Sequence, residues 1–119
     1  MGRYEEFQSY RSRMNERILG TDGAGTLVTK RFFRLDGQAY EDGALPAKTK
    51  EMLGLVASLV LRCDDCVAYH VDRCLEMGAT DAEILETLDI GLIVGGSIVI
   101  PHLRRAVDFL DQAKAARRG

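Results

Sequence analysis

Tyr4, Phe7, Tyr10, Met14 and Ile18 recur at three- and four-residue intervals. That is the spacing of one face of an α-helix, with about 3.6 residues per turn. Comparable helical patterns follow in the later segments, and no stretch keeps the two-residue alternation of a strand. The nearest competitor is Val94 to Ile100, where Ile98, Val99 and Ile100 favour strands. The chain therefore reads as all-α: a single-domain bundle of about six helices over residues 1–119, with residues 1–20 an N-terminal helix. Gly20 to Gly25 breaks that first helix, and a second covers Leu27 to about Leu35 with Phe32 and Phe33 as apolar anchors. Pro46 suits the first turn of a third helix running to about Leu61, where its missing N–H costs nothing. This helix is apolar nearly all round after Glu51 and is expected to be central and buried. Cys63 or Asp64 opens a fourth helix, and Gly78 closes it as the residue just past its end. Thr80 to Glu83 forms a capping box for a fifth, through Ile84, Leu85 and Leu88. Gly95 and Gly96 permit a break before a sixth, from about Ser97 to Lys114, with Pro101 in its first turn or kinking it.

Composition narrows the partners. With 46% hydrophobic and 29% charged residues and a formal net charge of −2, the chain has no basic block to favour nucleic acid or a membrane surface. The longest uncharged runs, Met52–Leu61 and Ile90–Ile100, are too short to span a bilayer. The start, Met1 to Glu6, has no apolar signal core, and a cytoplasmic protein is expected. Three cysteines are too few for a secreted disulfide scaffold. In a reducing compartment, a close pair is more often catalytic or metal-binding than structural.

Such a pair is present. Cys63 and Cys66 frame a Cys-Asp-Asp-Cys, with His70 four residues on, and on a helix the three fall within an arc of roughly 60°. Both thiols lie where unpaired amides at a helix start lower thiol pKa, and Asp64 and Asp65 suit the same positive end. Cys66 has the further advantage that His70 is its i+4 neighbour and can accept its proton. Cys66 is thus the better candidate nucleophile, with Cys63 placed to resolve its oxidised form. Two other readings stand beside this one. The cysteines can be small buried hydrophobes. They can also join His70 as zinc ligands, although the fourth ligand is not apparent: Cys74 lies about 12 Å along the axis from Cys66, and His102 belongs to another helix. By spacing alone Glu51 reads as an exposed first-turn acid; the sharper reading is a partly buried carboxylate that orients His70 and relays a proton. Cys74 and His102 read as structural, and Tyr69, Phe32 and Phe33 as core or interface aromatics.

These residues resemble a known family. Glu51, Cys63, Cys66 and His70 match the E-x11-C-x2-C-x3-H signature of alkylhydroperoxidase D-like proteins, members of the carboxymuconolactone decarboxylase superfamily. The run Gly43 to Met52 and the passage Cys74 to Ile84 are similar too, so the resemblance covers about residues 40 to 110. It implies an all-α fold, assembly into homotrimers or homohexamers, and thiol-dependent reduction of hydroperoxides without a cofactor. By that analogy Cys66 is the peroxidatic thiol, Cys63 resolves it as a disulfide, and His70 with Glu51 forms the proton relay. Two departures matter. The alkylhydroperoxidase D enzymes carry a second His between the cysteines where this chain has Asp65, whose charge should raise thiol pKa slightly. True lactone decarboxylases lack the Cys pair, so lactone decarboxylation is not expected. The expected partners are a hydroperoxide or other small oxidant and a protein or small-thiol electron donor. Disulfide exchange with a protein partner and a structural or zinc-binding oligomer are the alternatives.

Overall fold

The computed structural model describes residues 2–118, and among them every regular element is helical. In order these are α1 (Arg3–Leu19), α2 (Leu27–Ala39), α3 (Ala47–Val60), α4 (Asp64–Glu76), α5 (Asp81–Gly95), a short 3-10 turn (Ser97–Val99) and α6 (Ile100–Arg118). The second helix runs four residues beyond the expected Leu35, and the sixth is preceded by the 3-10 turn and extends past Lys114.

Helix α3 packs against both α4 and α5, α6 lies on α4, and α1 lies on α6. The core forms where these faces meet: Leu55 and Leu59 of α3, Val67, Val71 and Cys74 of α4, Ile84 and Leu88 of α5, and Phe109 and Leu110 of α6 are all at most 2% exposed. Each such large apolar side chain contributes about 1.5–3 kcal/mol by leaving water. Helix α1 reaches this core through Tyr4 and Phe7, whose rings lie 5.4 and 5.6 Å from that of Phe109. The rest of its stripe turns elsewhere, and Tyr10 is exposed.

The helix ends follow local chemistry. At α5, Thr80 Oγ1 accepts from the Glu83 N–H at 3.1 Å, and Glu83 Oε1 accepts from the Thr80 N–H at 2.9 Å, satisfying two amides at the helix start. Helix α4 closes with Gly78 at φ +84°, its N–H bonded to Leu75 O and that of Ala79 to Cys74 O. Helix α3 closes the same way, with the Arg62 N–H on Leu59 O and the Cys63 N–H on Ser58 O. Its left-handed position is filled by Arg62 at φ +60°, where a side chain costs roughly 1–2 kcal/mol that glycine avoids. No linker remains after this turn: the next residue, Cys63, is already the N-cap of α4.

Two apolar expectations fail within the chain. Phe32 and Phe33 are 66% and 40% exposed, and α2 buries none of its residues. Helix α3 is central, yet Leu53 on its outer face is exposed, as is Leu61 just past its end. The exposed residues of α2 join Ile90, Ile93 and Val94 of α5 as large hydrophobic side chains that none of the described residues covers. No helix among the described residues is long and apolar enough to cross a membrane.

Candidate active site

The α3–α4 turn builds the site. Cys63, as N-cap, offers its sulfur to the Cys66 N–H at 3.2 Å. Its Cα lies 5.2 Å from that of Cys66, and the two are joined in a disulfide. Cys66 is exposed and Cys63 half-buried. The turn is held on its other side by Asp64, whose two oxygens accept from His102 Nδ1 at 2.8 Å and Arg105 Nη1 at 3.1 Å, tying the start of α4 to α6. His102 is thus a satisfied structural residue, as its sequence context suggests.

One turn beyond Cys66, His70 is 8% exposed and meets Glu51 of α3, which is 1% exposed. The His70 Nδ1 to Glu51 Oε1 distance is 2.9 Å. A carboxylate only accepts, so Nδ1 carries the hydrogen and Nε2 is left to take or give a proton. The second oxygen, Oε2, accepts from Arg73 Nε at 3.3 Å. The exposed first-turn Glu that spacing favoured is therefore a buried one. Its position on α3 faces α4 rather than solvent, and two donors from α4 compensate the burial of its charge.

Aromatic rings hold the imidazole. Tyr69 meets it edge-on at 5.1 Å between centroids, and Tyr40, at the end of α2, lies tilted over it at 5.4 Å. Both phenols are raised from their ordinary pKa, chiefly by burial and then by neighbouring carboxylates, Asp36 and Glu51 for Tyr40 and Glu51 for Tyr69; Arg73 and Arg11 oppose this at Tyr69. The Arg11 guanidinium lies over the Tyr69 ring at 4.7 Å. Room for the imidazole comes from Gly54: a Cβ there would lie 2.6 Å from His70 Cε1, 2.7 Å from Nε2 and 2.8 Å from the Tyr40 hydroxyl.

The site faces two ways. A groove of about 740 Å³ between α1 and α4 has Cys66 and His70 at its wall, with Phe7, Tyr10, Met14 and Tyr69 supplying apolar surface. Asp65 also lines this groove, beside Cys66. A smaller groove of about 400 Å³ is lined by Tyr40, Glu51, Tyr69 and Arg73. Cys74 is fully buried and takes no part; burial, then the charges of Glu51 and Glu83, push its thiol up to about 12. Among the described residues no group of three or more His, Cys, Asp or Glu side chains is arranged to hold a metal ion.

All four expected residues, Cys63, Cys66, His70 and Glu51, come together across the α3–α4 junction. Sequence reasoning missed Tyr40, Gly54 and Arg73. Arg73 had a usable signal, since it lies three residues from His70 and shares its helix face. Gly54 had a weaker one, a residue without a side chain three positions from Glu51 in an otherwise apolar helix. Tyr40 had none, because its approach depends on how α2 returns to the bundle.

The profile of the Carboxymuconolactone decarboxylase family matches residues 26–109. The chain belongs to this family. Its fold matches two crystal structures of TM1620 from Thermotoga maritima, one with 56% identity over 97% of this chain and 98% of that chain at a TM-score of 0.88. The other, at 56% identity, 95% and 93% coverage and a TM-score of 0.86, names TM1620 as a carboxymuconolactone decarboxylase family protein with a possible involvement in antioxidative response. A family protein from Legionella pneumophila, lpg0406, shares the fold at 22% identity over 92% of each chain, with a TM-score of 0.73. An uncharacterized protein of Cupriavidus necator is 32% identical over 77 residues, 65% of this chain and 68% of its own length. The chain thus combines Carboxymuconolactone decarboxylase family membership with a Cys63–Cys66 pair at disulfide distance.

Proposed function

We propose that this family member is a thiol-dependent peroxidase that reduces organic hydroperoxides. The observation that carries the reading is the bonded Cys63–Cys66 pair beginning the helix that also presents His70, itself hydrogen-bonded to buried Glu51. In the reduced enzyme His70 takes the Cys66 proton, and the thiolate attacks the terminal peroxide oxygen. The O–O bond breaks, Cys66 becomes a sulfenic acid, and the alkoxide leaves as alcohol with the proton returned by His70. Cys63 then attacks the Cys66 sulfur, forming the disulfide and releasing water. A dithiol donor, protein or small molecule, restores both thiols by exchange and leaves oxidised.

Several features support this order of events. Cys66 is the more exposed sulfur and faces the groove, whereas Cys63 is half-buried and engaged by a backbone amide. The possible antioxidative role named for TM1620 agrees with the chemistry. The protein acts as a homotrimer or homohexamer, a reading supported by the uncovered apolar side chains of α2 and α5. The test is turnover of cumene hydroperoxide with dithiothreitol by Cys66→Ser and Cys63→Ser. Cys66→Ser is expected to lose turnover, and Cys63→Ser, reduced and then freed of dithiol before hydroperoxide is added, to accumulate a dimedone-reactive sulfenic acid. Undiminished turnover by Cys66→Ser would refute the assignment.

A further inference from the structure

Glu51 sits between two donors of different kinds. Arg73 is a permanent cation, whereas His70 carries charge only when protonated. Each takes its own carboxylate oxygen, at 3.3 Å and 2.9 Å, and the carboxylate itself is 1% exposed. Resting on the proposed function, we infer that Arg73 is a positioning residue: by neutralising Glu51, it keeps His70 uncharged and free to accept the Cys66 proton.

The argument is one of charge balance. A buried carboxylate draws a compensating positive charge toward itself. With Arg73 in place, that charge is already supplied. Without it, the nearest route to neutrality is a proton on the pair. Imidazole is the more basic partner, with a reference pKa of ~6.5 against ~4.3 for a glutamate, so the proton settles on His70. An imidazolium at rest cannot act as a base. The other charged or titratable groups around the ring do not supply this balance. Cys66, Asp65 and Tyr69 come from α4, Tyr40 and Asp36 from the end of α2, and Arg3, Glu6, Tyr10 and Arg11 from α1, with the Arg3 guanidinium donating to Arg105 O of α6. Asp36, Asp65, Arg11 and Glu6 are exposed to solvent, where their fields are screened. Arg73, partly open to the smaller groove, is the one fixed cation in contact with the buried acid.

The chain has two histidines, which makes the test direct. Each imidazole of the reduced protein is titrated by NMR in wild type, Arg73→Met, Arg73→Lys and the double variant Arg73→Met with Glu51→Gln. The His70 midpoint is expected to move to higher pH in Arg73→Met and to return toward wild type in Arg73→Lys. The double variant should lose the upward move, while His102, bound to Asp64, stays unchanged throughout. Arg73→Gln carries the same expectation as Arg73→Met and replaces it should that variant not fold. A His70 midpoint that is unmoved or lower in folded Arg73→Met or Arg73→Gln, or one that moves equally with His102, overturns the inference. The titration needs no turnover. A wild type inactive toward hydroperoxides would remove the proposed function, whereas an active wild type with an unmoved midpoint would remove this inference alone.

Discussion

Replacing Gly54 by alanine tests the site through a single methyl group. The new Cβ would stand 2.6 Å from His70 Cε1 and 2.7 Å from Nε2, where ordinary contact is about 3.5–4.0 Å. The ring must retreat by about 1 Å. It cannot swing aside cheaply, because Tyr69 and Tyr40 flank it at 5.1 and 5.4 Å between centroids. Gly54 and Glu51 lie one turn apart on α3, so a push away from one is a push away from the other. The 2.9 Å bond from His70 to Glu51 then lengthens to nearly 4 Å, past the useful limit of about 3.2 Å. Overpacking costs about 1–3 kcal/mol, and loss of a charge-assisted bond a comparable amount. The alanine returns about 1 kcal/mol of helix propensity. The net destabilisation is therefore about 1–5 kcal/mol, less than the stability of most domains of this size. Activity should suffer more, falling about 100-fold, because a base misplaced by 1 Å loses most of its advantage. Dithiothreitol-dependent turnover of cumene hydroperoxide, measured beside a thermal melt, reads both effects. Folded Gly54→Ala with turnover within about twofold of wild type would refute the role given to the His70–Glu51 bond.

Cys74 offers a prediction in pH. Its thiol is raised from 9.0 to about 12, mainly by burial, so the folded state holds the proton more tightly than the unfolded chain. Its contribution to stability is complete below about pH 9 and is lost as pH rises toward about 12, at up to ~1.4 kcal/mol per pH unit. At pH 8 the reduced, folded protein should show two reactive thiols to an alkylating reagent and a third only in denaturant; three in the folded state would contradict the burial argument. Assembly is checked by light scattering at micromolar concentration, where three or six chains are expected and a monomer would contradict the oligomer.

Local chemistry decided which features could be read from the sequence. Gly78 and the Thr80–Glu83 capping box satisfy backbone groups within a few residues and stand where expected, while Pro46, expected in the first turn of α3, is instead its extended N-cap, one residue before the helix. The Cys63, Cys66 and His70 constellation was legible for the same reason, since helical offsets alone bring the three together. Arg62 was not, because nothing marks an arginine as the left-handed residue of a helix end. Glu51 was ambiguous, since its burial depends on which face of α3 meets α4; family resemblance, rather than spacing, favoured the relay role. Phe32 and Phe33 were read as anchors from their apolarity, but apolarity does not specify whose surface an anchor enters. Helix α2 leaves both of them outside the core of its own chain.

The cap on α4 has a practical consequence for dissecting the thiols. Helix N-caps are usually Ser, Thr, Asp or Asn, whose oxygens accept a first-turn amide; here the Cys63 sulfur accepts it. One atom thus serves as both a helix stop and an exchangeable bond. Serine at position 63 swaps the sulfur for a better acceptor and removes only the redox partner. Alanine removes the redox partner and the cap together, loosening the turn that aims Cys66, so the difference between the two variants measures how much of the reactivity of Cys66 is owed to a well-seated helix.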